Sequence, residues 1–180
     1  GEKVGEEMSL AELCLAALDL SDNTAANLAL DRIGGPSAVT RFFRETGDEV
    51  SWLDRREPEL NRFAPGDPRD TTTPAAMSQT LDRLLLGDAL SPASRAQLAE
   101  WMSHGGVTGA LIRAEAPAGW RILDKSGSGS HTRNLVAVVE PEGRAPWIVA
   151  LFVSDVAADF ATRNAALQEI GRAAITAIGD

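Results

Sequence analysis

The chain has 180 residues, which is long enough for one domain or one and a half. Hydrophobic residues make up 44% and charged residues 24%, which are ordinary values for a globular protein. Its formal net charge of −9 argues against binding nucleic acid, because a phosphate backbone would be repelled. No apolar stretch approaches the roughly 20 residues that a membrane-spanning helix needs. We therefore expect neither nucleic acid nor a membrane as a partner.

Helix signals occupy the first part of the chain. Ser9 followed by Glu12 forms a capping box, which predicts a helix that ends near Leu18. A second helix is predicted within SDNTAANLALDRIGG, capped by its aspartate or its asparagine and ended by its two glycines. A third begins at Pro36 and closes at Gly47.

The helical pattern then stops over a long segment, residues 52–72. A loop longer than about 15 residues inside a compact domain is usually functional or disordered. This one has enough apolar side chains to pack onto the body as an Ω-loop, namely Trp52, Leu53, Leu60 and Phe63. Arg55 and Asp70 flank it and are placed to pair across its neck.

Helix signals resume at TPAAMSQTLDRLLLG and SPASRAQLAEWMSHG, and VTGALIRAEAP allows one short helix more. Three β-branched runs follow, GWRILDKSG, NLVAVVEP and PWIVALFVSD, which predict antiparallel strands joined by short turns. The last stretch predicts an amphipathic helix whose apolar side carries Phe160, Leu167, Ile170, Ala174 and Ile178.

The fold class is therefore α+β, in two predicted domains. Residues 1–110 form an all-helical domain that includes the long loop. Residues 111–180 form part of an α/β domain, with three antiparallel strands and the final helix. Three strands with one helix leave half of the sheet layer without elements to pack against it.

The chain has a single cysteine, Cys14, which cannot form an internal disulfide. Two interpretations stay open: a buried thiol that acts as a small hydrophobic residue, or a partner on a segment outside this chain. His104 and His131 are predicted to be surface residues. Two histidines and one cysteine at these spacings offer no plausible metal site, so we expect no metal and no cofactor.

Two local groups in the helical part could carry chemistry. Ser21, Asp22 and Asn23 place a hydroxyl, a carboxylate and an amide in sequence, although the same triplet also makes a good helix cap. On the long loop, Glu57 and Asn61 lie in one short stretch, REPELN. A carboxylate held with an amide can position a water and take its proton, but solvated acids on a loop have the same pattern.

The third group lies on the first predicted strand, where Lys125 is followed by Ser126, Gly127 and Ser128, and later by Arg133. A cation, a hydroxyl and a glycine-flanked backbone, with a second cation nearby, would suit an anionic substrate carboxylate. Considered alone, such a charge pair is more often a feature of an exposed strand edge.

In combination, Ser-Asp-Asn, Glu-Pro-Glu-Leu-Asn and Lys-Ser-Gly occur in an order and at spacings that resemble the class A serine β-lactamases. Segments around the motifs, including SDNTAANL, LDRREPELN and RDTTTPAAM, are similar to the family in register. The resemblance covers nearly the whole chain. It implies a serine β-lactamase-like fold and hydrolysis of β-lactam antibiotics, penicillins first and cephalosporins as an open alternative, through an acyl-serine intermediate.

The resemblance also implies catalytic roles for four residues. Ser21 would relay a proton to the leaving lactam nitrogen, and Lys125 would supply positive potential beside it. Glu57 would be the general base for deacylation, and with Asn61 it would hold the hydrolytic water.

The same resemblance implies a substrate-binding set. Asn23 would bind the amide of the substrate side chain, while Ser126 and Arg133 would bind its carboxylate. The backbone N–H of Ser128 would donate to the oxyanion, and Gly127 would lie beside it in the substrate-binding strand.

One motif of the family is absent. Ser-x-x-Lys needs a lysine three residues after a serine, and neither Lys3 nor Lys125, the two lysines of the chain, meets that condition. The chain is therefore expected to be the C-terminal two-thirds of such an enzyme, without its N-terminal helix and first strands. We expect it to be inactive alone and active with a complementary segment or chain that carries the motif.

The family resemblance implies three further properties. Cys14 would bridge to a cysteine just beyond the lysine of the absent motif. The protein would be periplasmic or secreted, and otherwise monomeric.

Two other interpretations stay open. The chain could be a non-catalytic fragment whose role is to bind a complementary chain. It could also be a relative of the penicillin-binding transpeptidases, which use similar motifs. The transpeptidases lack the loop glutamate with its asparagine, so Glu57 and Asn61 argue against that relationship.

Overall fold

A computed structural model describes residue 3 and residues 5–180 of the chain; the remaining part of the predicted helical domain, residues 1, 2 and 4, lies outside the described residues. Five helices lie within residues 5–110. They are α1 (Leu10–Asp19), α2 (Asn23–Ile33), α3 (Pro36–Glu45), α4 (Pro74–Leu85) and α5 (Pro92–Met102).

Local capping explains where the first helices begin and end. The Ser9 hydroxyl accepts from the Glu12 N–H, while the Glu12 carboxylate accepts from the Ser9 N–H at 2.7 Å, as the capping box predicts. Asp22, rather than its neighbour, caps α2 through a bond from the Ala25 N–H at 2.8 Å. Gly34 ends α2 in the left-handed conformation, with φ of 103°.

The second half contains the sheet and two more helices. The strands are β1 (Arg121–Ser128), β2 (Arg133–Glu140) and β3 (Trp147–Val153), which pair antiparallel in the order β1-β2-β3. A short helix, α6 (Ile112–Glu115), precedes the sheet, and α7 (Phe160–Gly179) closes the chain. The predicted α+β class is confirmed.

Two apolar clusters lie on opposite faces of the sheet. One joins the sheet to α6 and α7 and includes Leu111, Ile112, Ile122, Leu135, Leu167 and Ile175. The other joins it to α4 and α5 and includes Leu81, Leu85, Met102, Leu123 and Val138. The helical part and the sheet therefore share a core, and the domain division at residue 110 stays a prediction.

The predicted apolar side of α7 is wrong in part. Phe160 and Ile170 are 54% and 45% exposed. The buried side instead carries Arg163, Leu167, Gly171, Ile175 and Ile178. An alanine-rich helix does not itself determine which side faces the sheet. Gly171 faces Ile112, and a Cβ atom at Gly171 would lie 3.7 Å from the Ile112 Cα, which is an ordinary packing distance. Arg163 turns inward because its guanidinium donates to two backbone carbonyls.

The 52–72 loop contains one short 3-10 turn, Glu59–Asn61. Its ends are joined where the Trp52 N–H donates to the Thr71 carbonyl at 2.9 Å. The predicted pair across the neck is present, since Arg55 Nε lies 2.5 Å from the Asp70 carboxylate, whose side chain is 3% exposed.

A buried carboxylate anchors both ends of this loop. Asp48 accepts hydrogen bonds from the Val50 and Ser51 N–H groups and from the Ser51 and Thr80 hydroxyls. The Ser51 hydroxyl also contacts that of Thr72 at 2.7 Å, so the start and end of the loop meet at one network on α4. Burial raises the pKa of Asp48, but these hydrogen bonds outweigh it and lower the pKa to about 2.

Within the part of the chain that the structure describes, no cluster of three or more cysteine, histidine or acidic side chains could hold a metal ion. Cys14 is half-buried on α1, where burial raises the pKa of its thiol. His104 is exposed and contacts Glu100, as predicted. The prediction for His131 is wrong in part, because its half-buried ring packs against Phe63 with centroids 5.4 Å apart.

Among the described residues, no helix combines the length and the apolar character that crossing a membrane requires.

Candidate active site

A cavity of about 370 Å³ opens where the start of α2, the 52–72 loop and the end of β1 meet. Three segments that are distant in the sequence contribute to its wall. Every residue that the sequence predicted for the site lines this cavity: Ser21, Asn23, Glu57, Asn61, Lys125, Ser126, Gly127, Ser128 and Arg133.

Ser21 and Lys125 meet at one side of the cavity. Ser21 adopts φ of 53°, a left-handed conformation that is uncommon for a residue other than glycine and is often found at functional sites. The Lys125 ammonium donates to the Ser21 hydroxyl and to the Ser126 carbonyl. Burial, and next the nearby charge of Arg133, lower the pKa of Lys125. Its cation is thus held against a hydroxyl inside the cleft.

Glu57 and Asn61 form the second pair, since the Asn61 amide donates to the Glu57 carboxylate. Burial raises the pKa of Glu57, and the Asn61 amide and Lys125 oppose that shift without cancelling it. A half-buried carboxylate with a raised pKa is a suitable proton acceptor near neutral pH.

Asn27 on α2 holds the backbone of Glu57 from both sides. Its amide donates to the Glu57 carbonyl at 2.9 Å, and its oxygen accepts from the Glu57 N–H at 3.1 Å. Sequence reasoning missed Asn27, because an asparagine within a helix carries no signal of a contact 30 residues away.

The loop approaches the turn between β1 and β2 closely. The Ser130 N–H donates to the Asn61 carbonyl at 3.4 Å. A Cβ atom on Gly129 would lie 2.5 Å from that same carbonyl oxygen, which is closer than atoms can pack. Glycine at this position therefore lets the loop bring Asn61 to the strand.

Arg133 lies at the far end of the cavity and is 6% exposed. Its guanidinium donates to the Asn164 side chain at 3.0 Å and to the Gly127 carbonyl at 3.1 Å. Its central carbon lies 5.3 Å from the centre of the Phe160 ring, which also lines the cavity. Sequence reasoning missed the contacts of Asn164 and Phe160 with Arg133, because both lie on α7, about 30 residues along the chain.

A buried ion pair supports the strand that carries Lys125. The Asp124 carboxylate accepts from Arg113 and from the Thr108 hydroxyl at 2.8 Å, and burial raises the pKa of Asp124. This contact ties β1 to the segment between α5 and α6, where Val107 lines the cavity. No local pattern in the sequence pointed to this pair.

This geometry places two cations, two carboxamides, several hydroxyls and a carboxylate of raised pKa around one opening. Such a set suits an anionic ligand whose reaction needs a proton acceptor. A sequence profile of the β-lactamase enzyme family matches residues 2–178.

The chain belongs to the β-lactamase enzyme family.

Individual β-lactamases agree with this assignment. The chain is 65% identical to a β-lactamase of Rhodobacter capsulatus over 98% of its own length and 60% of the relative's. It is 49% identical to β-lactamase L2 of Stenotrophomonas maltophilia, over 97% of this chain and 58% of that one. The chain thus spans about 60% of the length of these relatives.

Solved structures identify the class. An ancestral class A β-lactamase superposes with a TM-score of 0.93 at 55% identity, covering 98% of this chain and 68% of that one. A β-lactamase of Xanthomonas campestris gives 0.92 at 48% identity, covering 97% and 66%. The predicted relationship to the class A β-lactamases is confirmed.

Proposed function

We propose that this cleft hydrolyses β-lactam antibiotics through an acyl-serine intermediate when a segment carrying Ser-x-x-Lys completes it. The observation that supports this most strongly is the meeting of Ser21, Glu57 and Lys125 at one cavity. The three come from separate parts of the chain, and their chemistry matches the two steps of such a reaction.

In the first step, the serine of the supplied segment attacks the lactam carbonyl carbon. The attacking serine gives up its proton as the C–O ester bond forms and the C–N bond of the four-membered ring breaks. The Ser21 hydroxyl passes its own proton to the leaving nitrogen and takes up the proton that the attacking serine released. Lys125 polarises that hydroxyl through its hydrogen bond. The Ser128 N–H donates to the oxyanion as charge develops on the carbonyl oxygen.

In the second step, water attacks the ester carbon. Glu57 and Asn61 hold the water, and Glu57 takes its proton as the new C–O bond forms. The ester bond to the serine breaks, Glu57 passes the proton it took from water to the serine oxygen, and the ring-opened acid leaves. Asn27 keeps the Glu57 backbone in place through its two hydrogen bonds.

Substrate binding uses the other end of the cavity. The Ser126 hydroxyl and the Arg133 guanidinium bind the carboxylate of the β-lactam. Asn23 binds the amide of its side chain, and Gly127 lets the substrate lie close to the β1 backbone, because no atom lies within 4 Å of the place where its Cβ would be.

The Glu57–Asn61 hydrogen bond favours hydrolysis over transpeptidation. A transpeptidase must keep water from its acyl intermediate, whereas a positioned carboxylate with a raised pKa accelerates the attack of water. The penicillin-binding transpeptidase alternative therefore has less support. By analogy with its relatives, we also propose that the protein works in the periplasm or outside the cell.

The proposal is tested by comparing the chain alone with the chain joined to the part of the Rhodobacter capsulatus relative that it does not cover. Both are incubated with benzylpenicillin and examined by intact mass spectrometry and by penicillin absorbance. The chain alone should stay at 19.1 kDa without turnover. The joined protein should gain the mass of one penicillin transiently and consume the antibiotic.

A joined protein in which alanine replaces the nucleophilic serine is the matched control, and it should show neither adduct nor turnover. Turnover by the chain alone would contradict the requirement for a supplied serine. A folded joined protein that is never acylated would overturn the proposed function and leave the non-catalytic alternative.

A further inference from the structure

We propose that Phe160 determines substrate specificity in this cleft: its ring lies against the Arg133 guanidinium and forms an apolar wall for the group that a β-lactam carries next to its carboxylate. The inference rests on the proposed function. It assigns to α7 a part of the site that no motif in the sequence marks.

The first observation is that Phe160 is a large apolar side chain exposed at the cavity. It is 54% exposed and lines the same cavity as Ser126 and Arg133. Binding clefts are typically lined by apolar and aromatic side chains with a few polar groups that orient the ligand. The ring offers such a surface at the cationic end of the cleft.

The second observation is that neighbouring hydrogen bonds fix the start of α7, which carries Phe160. It is the first residue of α7, and the Asp159 side chain caps that helix by accepting from the Thr162 N–H at 2.8 Å. Three residues later, Arg163 is buried and donates to the carbonyls of Gly129 and Thr132. The helix start is thus tied to the β1–β2 turn.

The third observation concerns the orientation of Arg133. Hydrogen bonds to Asn164 and Gly127 hold two of its nitrogens, and its central carbon lies over the Phe160 ring, 5.3 Å from the ring centre. A cation over an aromatic face is attracted by the ring quadrupole. The ring and the two hydrogen bonds therefore hold the guanidinium in place together.

The chemistry of the ligand decides what meets this wall. A carboxylate on Ser126 and Arg133 brings the neighbouring ring carbon of the β-lactam toward Phe160. In penicillins that carbon carries two methyl groups, and in cephalosporins it carries a substituent that differs between compounds. A flat apolar substituent gains contact with the ring, whereas a small one leaves the ring exposed.

The specificity test uses the joined protein described above, with Phe160→Ala and Phe160→Trp. For each, kcat/KM is measured for a cephalosporin with an aromatic group at C3 and for one with methyl there. Phe160→Ala should lower the aromatic-to-methyl ratio by roughly threefold to tenfold, mainly through KM. Phe160→Trp should keep the aromatic-to-methyl ratio of the unchanged protein, because it also presents an aromatic face.

Phe42→Ala is the matched control, because Phe42 is an exposed phenylalanine on α3, 37% exposed and outside the cavity lining. It should leave the ratio unchanged. A ratio that Phe160→Ala does not move, or moves no more than Phe42→Ala does, would overturn the inference.

A second readout uses the chain as it is. The Nε–H signal of Arg133 in 15N–1H NMR should feel the ring current of Phe160 and shift in Phe160→Ala but not in Phe42→Ala. An unmoved signal overturns the contact itself, whatever the activity of the joined protein. A shifted signal in a chain whose joined form is never acylated means instead that the proposed function has failed, and with it the discrimination among β-lactams.

Discussion

The ammonium group of Lys125 donates a hydrogen bond to the hydroxyl of Ser21, across a separation of 104 positions in the chain. Both residues are held by neighbouring structure. Ser21 sits in the left-handed conformation just before the cap of α2, and Lys125 lies on the central part of β1, paired with Val136. The contact joins the helical part of the molecule to its sheet inside the candidate active site.

Removing the cation should slow acylation. Lys125→Met keeps the apolar stem but removes the donor to Ser21, so proton delivery to the leaving nitrogen loses its support. In the joined protein we expect acylation by benzylpenicillin to fall by roughly a hundredfold, measured as the rate of adduct formation. Lys3→Met replaces the other lysine of the chain and should leave that rate unchanged; an equal loss in both variants would count against the role of Lys125.

Replacing the proposed base should trap the intermediate. In Glu57→Gln the acyl-enzyme should still form, but its hydrolysis should slow by about 10² to 10⁴, so that intact mass shows a lasting adduct. Rapid turnover by this variant would show that another group activates the water.

The pH dependence of deacylation should report the same carboxylate. A base acts when deprotonated, so deacylation should be lost as pH falls through the pKa of Glu57, which burial raises above 4.5. This acidic limb of the pH–rate profile should vanish in Glu57→Gln. Glu59→Gln removes a like charge that raises the pKa of Glu57, so it should move the limb to lower pH without abolishing it.

The neck of the 52–72 loop should depend on its ion pair. Arg55→Met leaves the Asp70 carboxylate, 3% exposed in its side chain, without its cation, and we expect a loss of about 3 kcal/mol in the free energy of unfolding. Urea denaturation measures this loss, and limited proteolysis reports opening of the loop.

Arg41→Met is the control for that variant. It breaks the Arg41–Glu45 pair, whose side chains are each 65% exposed, and should cost less than about 1 kcal/mol. Equal losses in the two variants would show that the neck pair contributes no more than a surface pair.

Stability in acid should depend on Asp48. Its pKa is about 2 in the folded protein against 3.8 for the free side chain, so the unfolded chain binds a proton first as pH falls. The contribution, about 2 kcal/mol, is present above pH 4 and is lost between pH 4 and pH 2. Urea denaturation from pH 2 to 6 should show a shallower dependence in Asp48→Asn, whereas Glu45→Gln, on the exposed side of α3, should keep the original profile.

Local features of the fold were predictable because their causes lie within a few residues. The Ser9–Glu12 capping box, the proline that begins α3 and the glycine that ends α2 each act through neighbouring backbone groups. The three strands followed from their β-branched residues and short turns. The motif residues of the site were identifiable for a different reason, namely the resemblance to a known family.

The choice of buried side on α7 was not predictable. Its many alanines make several sides nearly equal in hydrophobicity, and contacts with α6 and the sheet select the one that turns inward. The exposed Phe160 at the cleft is a consequence of that choice.

The amino-acid sequence by itself determined which segments become helices and strands, and which residue types are available for chemistry. Only the tertiary structure decided that Asn27 holds Glu57, that Asp48 anchors both loop ends, and that Asn164 and Phe160 orient Arg133. These contacts join residues far apart in the chain. Their energy depends on distance and burial in three dimensions, so no spacing along the sequence reveals them.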